Sequence, residues 1–263
     1  MSAVGTVSAV AGVDVRTWRA VEQVMGLPVS VALRGRHAGD AVGRAAWTAA
    51  VAELRALEDL FTTWRESPIT RIGRGELTID DLPPADAALV AEVLAVGERA
   101  RVDSGGAFDV RRGPDRALDP SGVVKGWAIQ RAARHLQALP DTDSCLGGGG
   151  DLACSVADPA GEPWRIGVED PSGPTRVVAT IPVRRGAVAT SGLARRGAHV
   201  VDARSGRVPS ALASVTVVAG DLTTADVDAT AALALDAEGA DWLRSRGRTG
   251  LVVHADGRLE VLG

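Results

Sequence analysis

The stretch Asp119-Pro-Ser-Gly-Val-Val-Lys-Gly-Trp-Ala128 lies where helical patterns give way to strand patterns. Before it, apolar residues at helical spacing predict helices over about 40–64 and 84–102. A third helix is predicted to begin within it and to run over about 124–139. Helices grouped early and strands grouped late indicate an α+β fold, with a mainly antiparallel sheet core and flanking helices.

Short apolar runs separated by Gly, Pro or Asp turns predict most of the strands. Two short strands are expected within 16–34, where they meet at Met25-Gly26. A helix is expected over about 224–235 and a short one near 238–246. The remaining predicted strands are 143–147, 151–156, 164–169, 176–183, 186–190, 198–203, 212–219, 250–254 and 259–262.

Length and composition limit the classes of protein to consider. The 263 residues suffice for a substantial core, and 16–263 is interpreted as a single domain after a short N-terminal extension, 1–15. The net charge of −4 gives no indication of a nucleic-acid partner. No apolar stretch reaches the roughly 20 residues of a membrane span. Because no basic n-region precedes the small apolar residues at the start, a cytoplasmic protein is expected.

The two cysteines, Cys145 and Cys154, do not make a disulfide framework. They flank a glycine run and are interpreted as reduced structural thiols. The run itself, 147–150, admits two interpretations. It could let backbone N–H groups approach a phosphate, or it could form a hairpin turn. It is not a P-loop, because the GxxxxGK[ST] pattern is absent.

Lys125 is the only lysine among 29 basic residues, the rest being arginines. An ammonium is a compact point charge on a slim stem, which a guanidinium does not replace. Its place at the start of an apolar helical pattern favours a specific role over a chance solvated site.

Asp226 and Thr230 are four residues apart at the start of a predicted helix, so both project from one face. A carboxylate and a hydroxyl are oxygen ligands that suit a hard cation such as Mg²⁺. The alternative is helix capping by Thr223, Thr224 or Asp226. Asp228 lies on another face and is expected to be a solvated charge.

His199 precedes Val-Val-Asp202 in a predicted strand, where alternation places His199 and Val201 on one face. A histidine there can act as acid, base or phosphate partner, or it can be structural. The turn Gly105-Gly106 leads directly into Ala107-Phe108-Asp109, which is either a ligand contact or core packing.

The order of these motifs resembles the ApbE family, the FAD:protein FMN transferases. The resemblance runs from about residue 16 to the end of the chain and includes Met25-Gly26 and the segment that begins at Trp64. Its main motifs, in order, are Gly106-Ala-Phe-Asp109, Asp119 before Lys125-Gly-Trp-Ala128, Gly149-Gly-Asp151, Val188-Ala-Thr-Ser-Gly192, His199-Val-Val-Asp202 with Gly206, and Ala225-Asp226 with Ala229-Thr230.

The resemblance implies a Mg²⁺-dependent enzyme that cleaves the diphosphate of FAD, releases AMP and attaches FMN to a Thr or Ser of a target flavoprotein. It places the metal on Asp226, Thr230 and the backbone carbonyl at Gly122. His199 would act on the reacting phosphate or the acceptor hydroxyl, with Asp226 as the other catalytic residue. The implied contacts of the flavin and its phosphates are Met25, Trp64, Ala107, Phe108, Asp109, Asp119 and Lys125.

Four residues depart from the family pattern. Trp64 stands where a tyrosine is common, which preserves stacking but removes a phenol hydrogen bond. Arg111-Arg112 replaces the usual continuation after the Phe-Asp pair, and Ala203 replaces a proline. Two alternatives to the transferase stay open at this point, because the acceptor would be a separate protein: an FAD pyrophosphatase that gives FMN and AMP, and a protein that binds FAD without turnover.

Overall fold

The computed structural model describes residues 17–113, 115–193 and 200–263, so the predicted N-terminal extension lies outside the described residues. Eight strands form one sheet in the order β1-β2-β5-β6-β9-β10-β11-β12, and each neighbouring pair is antiparallel. The strands are β1 (Thr17–Val24), β2 (Leu27–Gly35), β3 (Arg111–Arg112), β4 (Ala117–Leu118), β5 (Thr142–Gly148), β6 (Asp151–Ser155), β7 (Trp164–Asp170), β8 (Gly173–Val183), β9 (Arg185–Gly192), β10 (Leu212–Ala219), β11 (Thr249–His254) and β12 (Leu259–Leu262). The α+β prediction is confirmed.

Six α-helices flank this sheet in the described part of the chain. They are α1 (Ala41–Phe61), α2 (Pro68–Gly73), α3 (Pro84–Asp103), α4 (Ser121–Gln137), α5 (Leu222–Ala234) and α6 (Gly239–Ser245). None of the described helices is long and apolar enough to cross a membrane.

Local hydrogen bonds decide where helices begin. The side chain of Asp40 accepts from the N–H of Gly43 at 2.8 Å and caps α1. A capping box of Ser67 and Thr70 starts α2, a helix that the periodicity does not predict because it has only six residues. Helix α4 begins at Ser121, directly after Pro120, three residues earlier than predicted.

The central helix is α4, which contacts α1 on one side and α5 on the other. Its residues Val123, Ala128 and Leu136 are fully buried, and the ring of Trp127 meets Phe61 edge-on with centroids 5.6 Å apart. Helix α5 packs on β9 and β10. The helices therefore cover one face of the sheet.

The opposite face of the sheet is covered by the separate β7–β8 hairpin. Alternation along β5 and β6 sends Leu146 and Ala153 toward the helices and Cys145 and Cys154 toward this hairpin. The two cysteines are register partners, and both thiols are free and buried with their sulfur atoms 3.6 Å apart. Both side chains pack in the core, as expected of structural residues, and their reduced state stays a prediction.

Several loop-proximal residues gather at one end of the sheet. The β5–β6 turn is Gly149-Gly150, both at positive φ, and Asp151 follows it as the first residue of β6. The last residues of β9 reach the same end, because β9 pairs antiparallel with β6. The glycine run is thus a hairpin turn, the second of its two interpretations.

Candidate functional site

Helix α5 is capped by Asp221, whose carboxylate accepts from Thr224 N at 2.9 Å and Thr224 Oγ1 at 2.8 Å. This hydrogen bonding decides between the two interpretations of Asp226. Since another residue satisfies the helix terminus, Asp226 lies inside the helix and its carboxylate is available for other contacts.

The carboxylate of Asp226 meets the ammonium of Lys125, with Oδ1 3.0 Å from Nζ. The same ammonium donates to Asp151 Oδ2. Asp151 Oδ1 also accepts from Thr190 N at 2.9 Å, which ties this carboxylate to β9. Residues from α4, α5 and β6 thus form one buried charged cluster, in which Asp151 and Asp226 are 0% and 2% exposed.

One ammonium faces two carboxylates, so the cluster holds an uncompensated negative charge when both are ionised. Burial and the charge of Asp226 raise the pKa of Asp151 to about 6, although Lys125 opposes them. For Lys125, burial favours the neutral amine, but the attraction of Asp226 and Asp151 prevails and raises the pKa above its usual value. The ammonium therefore stays charged.

Gly126 allows the close approach of α4 to α5 that makes this cluster possible. A Cβ at this position would lie 2.7 Å from Asp226 Cβ and 2.9 Å from the carbonyl oxygen of Leu222. The absence of a side chain also exposes Gly126 N, which donates to Asp226 Oδ2 at 3.0 Å. Each carboxylate oxygen of Asp226 therefore has a fixed partner.

A cavity of about 320 Å³ opens beside the cluster. Thr230 lines it, and its hydroxyl is 2.8 Å from Ser191 Oγ. The other lining residues are Ala107, Phe108, Asp109, Arg111, Gly113, Asp119, Gly122, Val200, Val201, Ala203, Arg204, Ser205, Gly206 and Ala234. Six residues that the resemblance assigns to the site thus share one cavity: Ala107, Phe108, Asp109, Asp119, Gly122 and Thr230.

Two loops form the cavity wall. Ala203 N donates to Ala107 O at 3.0 Å, which joins the loops to each other. The ring of Phe108 lies against Gly122 at the start of α4, where a Cβ would be 3.2 Å from the ring. Asp109 pairs with Arg116 at 3.1 Å. The Phe-Asp motif is therefore partly structural and partly exposed to the cavity.

The predicted strand 198–203 is wrong over its described part, residues 200–203. In the described part of that segment the backbone forms a turn, because Ser205 N and Gly206 N both donate to Asp202 O. The Asp202 carboxylate holds the Arg204 guanidinium through bonds of 2.9 and 2.8 Å. His199 lies outside the described residues, and its role stays a prediction.

Four assigned residues do not line this cavity. Lys125 and Asp226 belong to the charged cluster, and Asp226 lies one helical turn before Thr230. Met25, at positive φ in the β1–β2 turn, packs against the core. Trp64 follows the end of α1 with 94% of its surface exposed. A flavin contact by Met25 or Trp64 stays a prediction from the resemblance.

Sequence reasoning assigned no role in the site to Asp151, Ser191 and Arg204. The Gly-Gly-Asp and Ala-Thr-Ser-Gly motifs marked the first two as part of the family pattern, but spacing did not reveal their contacts. A correction also applies to Asp228, which was expected to be solvated. It is buried and paired with Arg248 at 2.5 Å.

Sequence comparisons with known proteins show which family this chain resembles. The sequence model described as "ApbE family" matches residues 110–253, more than half of the chain. The FAD:protein FMN transferase of Vibrio cholerae is 32% identical over 136 residues, 48% of this chain and 40% of that protein. The protein of that name from Haemophilus influenzae is 31% identical over 124 residues, 43% and 36% of the two chains. The matched region thus spans about two fifths of these relatives.

Solved structures agree over nearly the whole chain. The flavin transferase ApbE from Vibrio cholerae has a TM-score of 0.78 at 20% identity and covers 95% of this chain and 98% of that one. The apo form of Pseudomonas stutzeri flavinyl transferase ApbE gives 0.76 at 21% identity, with 94% and 96% covered. At these identities the likeness establishes the fold, and together with the family match it shows that the chain belongs to the ApbE family.

Proposed function

We propose that this protein is a Mg²⁺-dependent FAD:protein FMN transferase. It cleaves the diphosphate of FAD, releases AMP and joins FMN by a phosphoester bond to a Thr or Ser hydroxyl of a target flavoprotein. The observation that carries the proposal is the position of Thr230. It lines a cavity together with Phe108 and Gly122 and shares a face of α5 with the buried Asp226. The names of the curated relatives support the same activity.

The donors around Thr230 fit a magnesium ion. Asp226 supplies a carboxylate, Thr230 a hydroxyl and Gly122 a backbone carbonyl, all of them oxygen donors of the kind that Mg²⁺ prefers. Across the described residues, no group of three or more His, Cys, Asp and Glu side chains could hold a metal. This incomplete set suits Mg²⁺, which is commonly held by one or two carboxylates together with substrate phosphates.

We assign Asp226, Thr230 and the Gly122 carbonyl as the residues that would hold Mg²⁺. When bound, the ion would supply positive charge to the diphosphate oxygens. The uncompensated negative charge of the Lys125, Asp151 and Asp226 cluster favours a divalent cation at this position. Lys125 fixes one oxygen of Asp226, and Gly126 N fixes the other.

The remaining groups position the reactants. The guanidinium groups of Arg111 and of Arg204, which Asp202 holds in place, line the cavity and would contact the diphosphate oxygens. The Phe108 ring offers an apolar surface to the flavin. The acceptor oxygen attacks the phosphorus of the FMN half, and the bond to the AMP phosphate breaks. A base, for which we propose His199, takes the hydroxyl proton.

The decisive experiment incubates the protein with FAD, Mg²⁺ and candidate flavoproteins from the same genome. The masses of the acceptors and the released nucleotides are then measured. We expect an FMN adduct with AMP release, and the loss of both in Asp226→Asn. Asp80→Asn, at an exposed position, is the matched control. FMN and AMP without an adduct would indicate the pyrophosphatase, and no FAD cleavage with any acceptor would overturn the proposal. A cytoplasmic site of action stays a prediction.

A further inference from the structure

A second cavity, of about 410 Å³, lies among α3, α4, the start of α5 and the segment after α6. Among the described residues it shares no lining residue with the cavity beside Thr230. We call it the arginine cavity, because five of its lining side chains are arginines. They are Arg99, Arg131, Arg134, Arg246 and Arg248. The proposed function assigns no role to it.

Four carboxylates also line the arginine cavity, and two of them pair with the arginines that follow α6. Arg248 donates a hydrogen bond to the Asp228 carboxylate at 2.5 Å, and Arg246 lies 3.5 Å from the same carboxylate. Asp103 pairs with Arg246 at 3.0 Å. These contacts use the arginines that follow α6.

The other two carboxylates are engaged by different donors. Glu92 accepts from Trp127 Nε1 at 2.8 Å and lies 3.6 Å from Arg131. Asp221 is occupied as the cap of α5. The five arginines outnumber the four lining carboxylates, and Arg131 is also paired at 3.3 Å with Glu53, which lies outside the lining.

Among the described residues, two guanidinium groups and one N–H of a third are left without a partner after this pairing. Within the described ranges, the guanidinium groups of Arg99 and Arg134 make no hydrogen bond or ion pair, and the buried Nε of Arg246 has no acceptor. Arg99 and Arg134 come from two different helices, α3 and α4; both are exposed and line the same cavity. Two free guanidinium groups at one cavity match the several oxygens of a phosphate, which accepts paired hydrogen bonds.

We propose that the arginine cavity binds the phosphate group of a small molecule, either free orthophosphate or a nucleoside monophosphate. Arg99 and Arg134 are its main cationic contacts. The site is separate from the one at which FAD would react, so it stands or falls independently of the proposed transferase activity.

Calorimetric titration of the full chain with orthophosphate and, separately, with AMP tests the proposal. We expect both to bind the wild type and both to lose about tenfold in affinity in the double variant Arg99→Gln/Arg134→Gln. Equal affinities for the two ligands would mean that the phosphate alone is recognised. Tighter binding of AMP, lost in the same variant, would show that a nucleotide is the ligand.

The control removes two positive charges elsewhere. Arg19→Gln/Arg165→Gln changes two exposed strand arginines and should leave both affinities unchanged. If the first double variant does not fold by circular dichroism, Arg134→Gln alone serves the comparison. The proposal is wrong if the wild type binds neither ligand, if the Arg99 and Arg134 variant binds them as tightly as the wild type, or if the control variant weakens equally.

Discussion

Lys125 Nζ lies 3.0 Å from Asp226 Oδ1 although 101 positions separate the two residues. The same ammonium also contacts Asp151, so one cation orients two carboxylates from different elements. In this structure Lys125 therefore serves to fix Asp226. The phosphate contact that the resemblance assigns to Lys125 stays a prediction, and it would require the ammonium to be shared with the substrate.

Replacing Asp151 by Asn should weaken the cluster without removing its shape. We expect the free energy of unfolding to fall by about 1–3 kcal/mol, because the new amide NH₂ must face either the Lys125 ammonium or Thr190 N, both of them donors, and this loss outweighs the relief of repulsion from Asp226. The stabilisation gained on adding Mg²⁺ should also shrink, since the excess negative charge is gone. Urea unfolding with and without Mg²⁺ measures both. An unchanged response to Mg²⁺ would contradict the charge argument.

Gly126→Ala tests the contact between α4 and α5. Alanine usually stabilises a helix relative to glycine by about 1 kcal/mol. Here the added Cβ would lie 2.7 Å from Asp226 Cβ, so we expect a net loss of about 1–3 kcal/mol. Gly220→Ala, where a Cβ meets no atom within 4 Å, is the control and should change stability by less than about 0.5 kcal/mol. Urea unfolding that finds Gly126→Ala more stable than the wild type would refute this prediction.

Trp64→Ala separates a structural role from a flavin contact. Because the side chain is 94% exposed, the free energy of unfolding should change by less than about 0.5 kcal/mol. If Trp64 stacks on the flavin, FAD affinity should fall by about three- to tenfold, which fluorescence titration measures. Val261→Ala, at another exposed apolar residue, controls for surface effects. Unchanged FAD affinity would remove Trp64 from the site.

The lowered pKa of Glu260 predicts that the free energy of unfolding falls in acid. Hydrogen bonds from His254, Arg244 and Arg258 outweigh burial and lower the pKa of Glu260 from 4.5 to about 2. A depressed carboxyl pKa stabilises the fold above the unfolded value, and this contribution disappears as the pH falls from 4.5 to about 2. Glu260→Gln should therefore be less stable than the wild type near neutral pH, and the two should converge near pH 2. Parallel curves across this range, in urea unfolding at several pH values, would exclude this role of Glu260.

Most helices and strands are recoverable from periodicity because each depends on residues close in sequence. The predicted helix over 84–102 corresponds to α3, Pro84–Asp103, and the predicted strand 259–262 matches β12. The segment 200–203 differs because its backbone N–H and C=O groups are used in a turn that joins the Ala107 loop. No local pattern encodes that contact.

The sequence by itself determined the α+β class, the order of the family motifs and the spacing of Asp226 and Thr230 on one helix face. Only the tertiary structure decided that Asp226 meets Lys125 and that Asp228 is buried against arginines. The reason is physical. Periodicity reports the direction of a side chain relative to its own helix or strand, whereas the partner it meets depends on how distant elements pack, here through the close approach at Gly126.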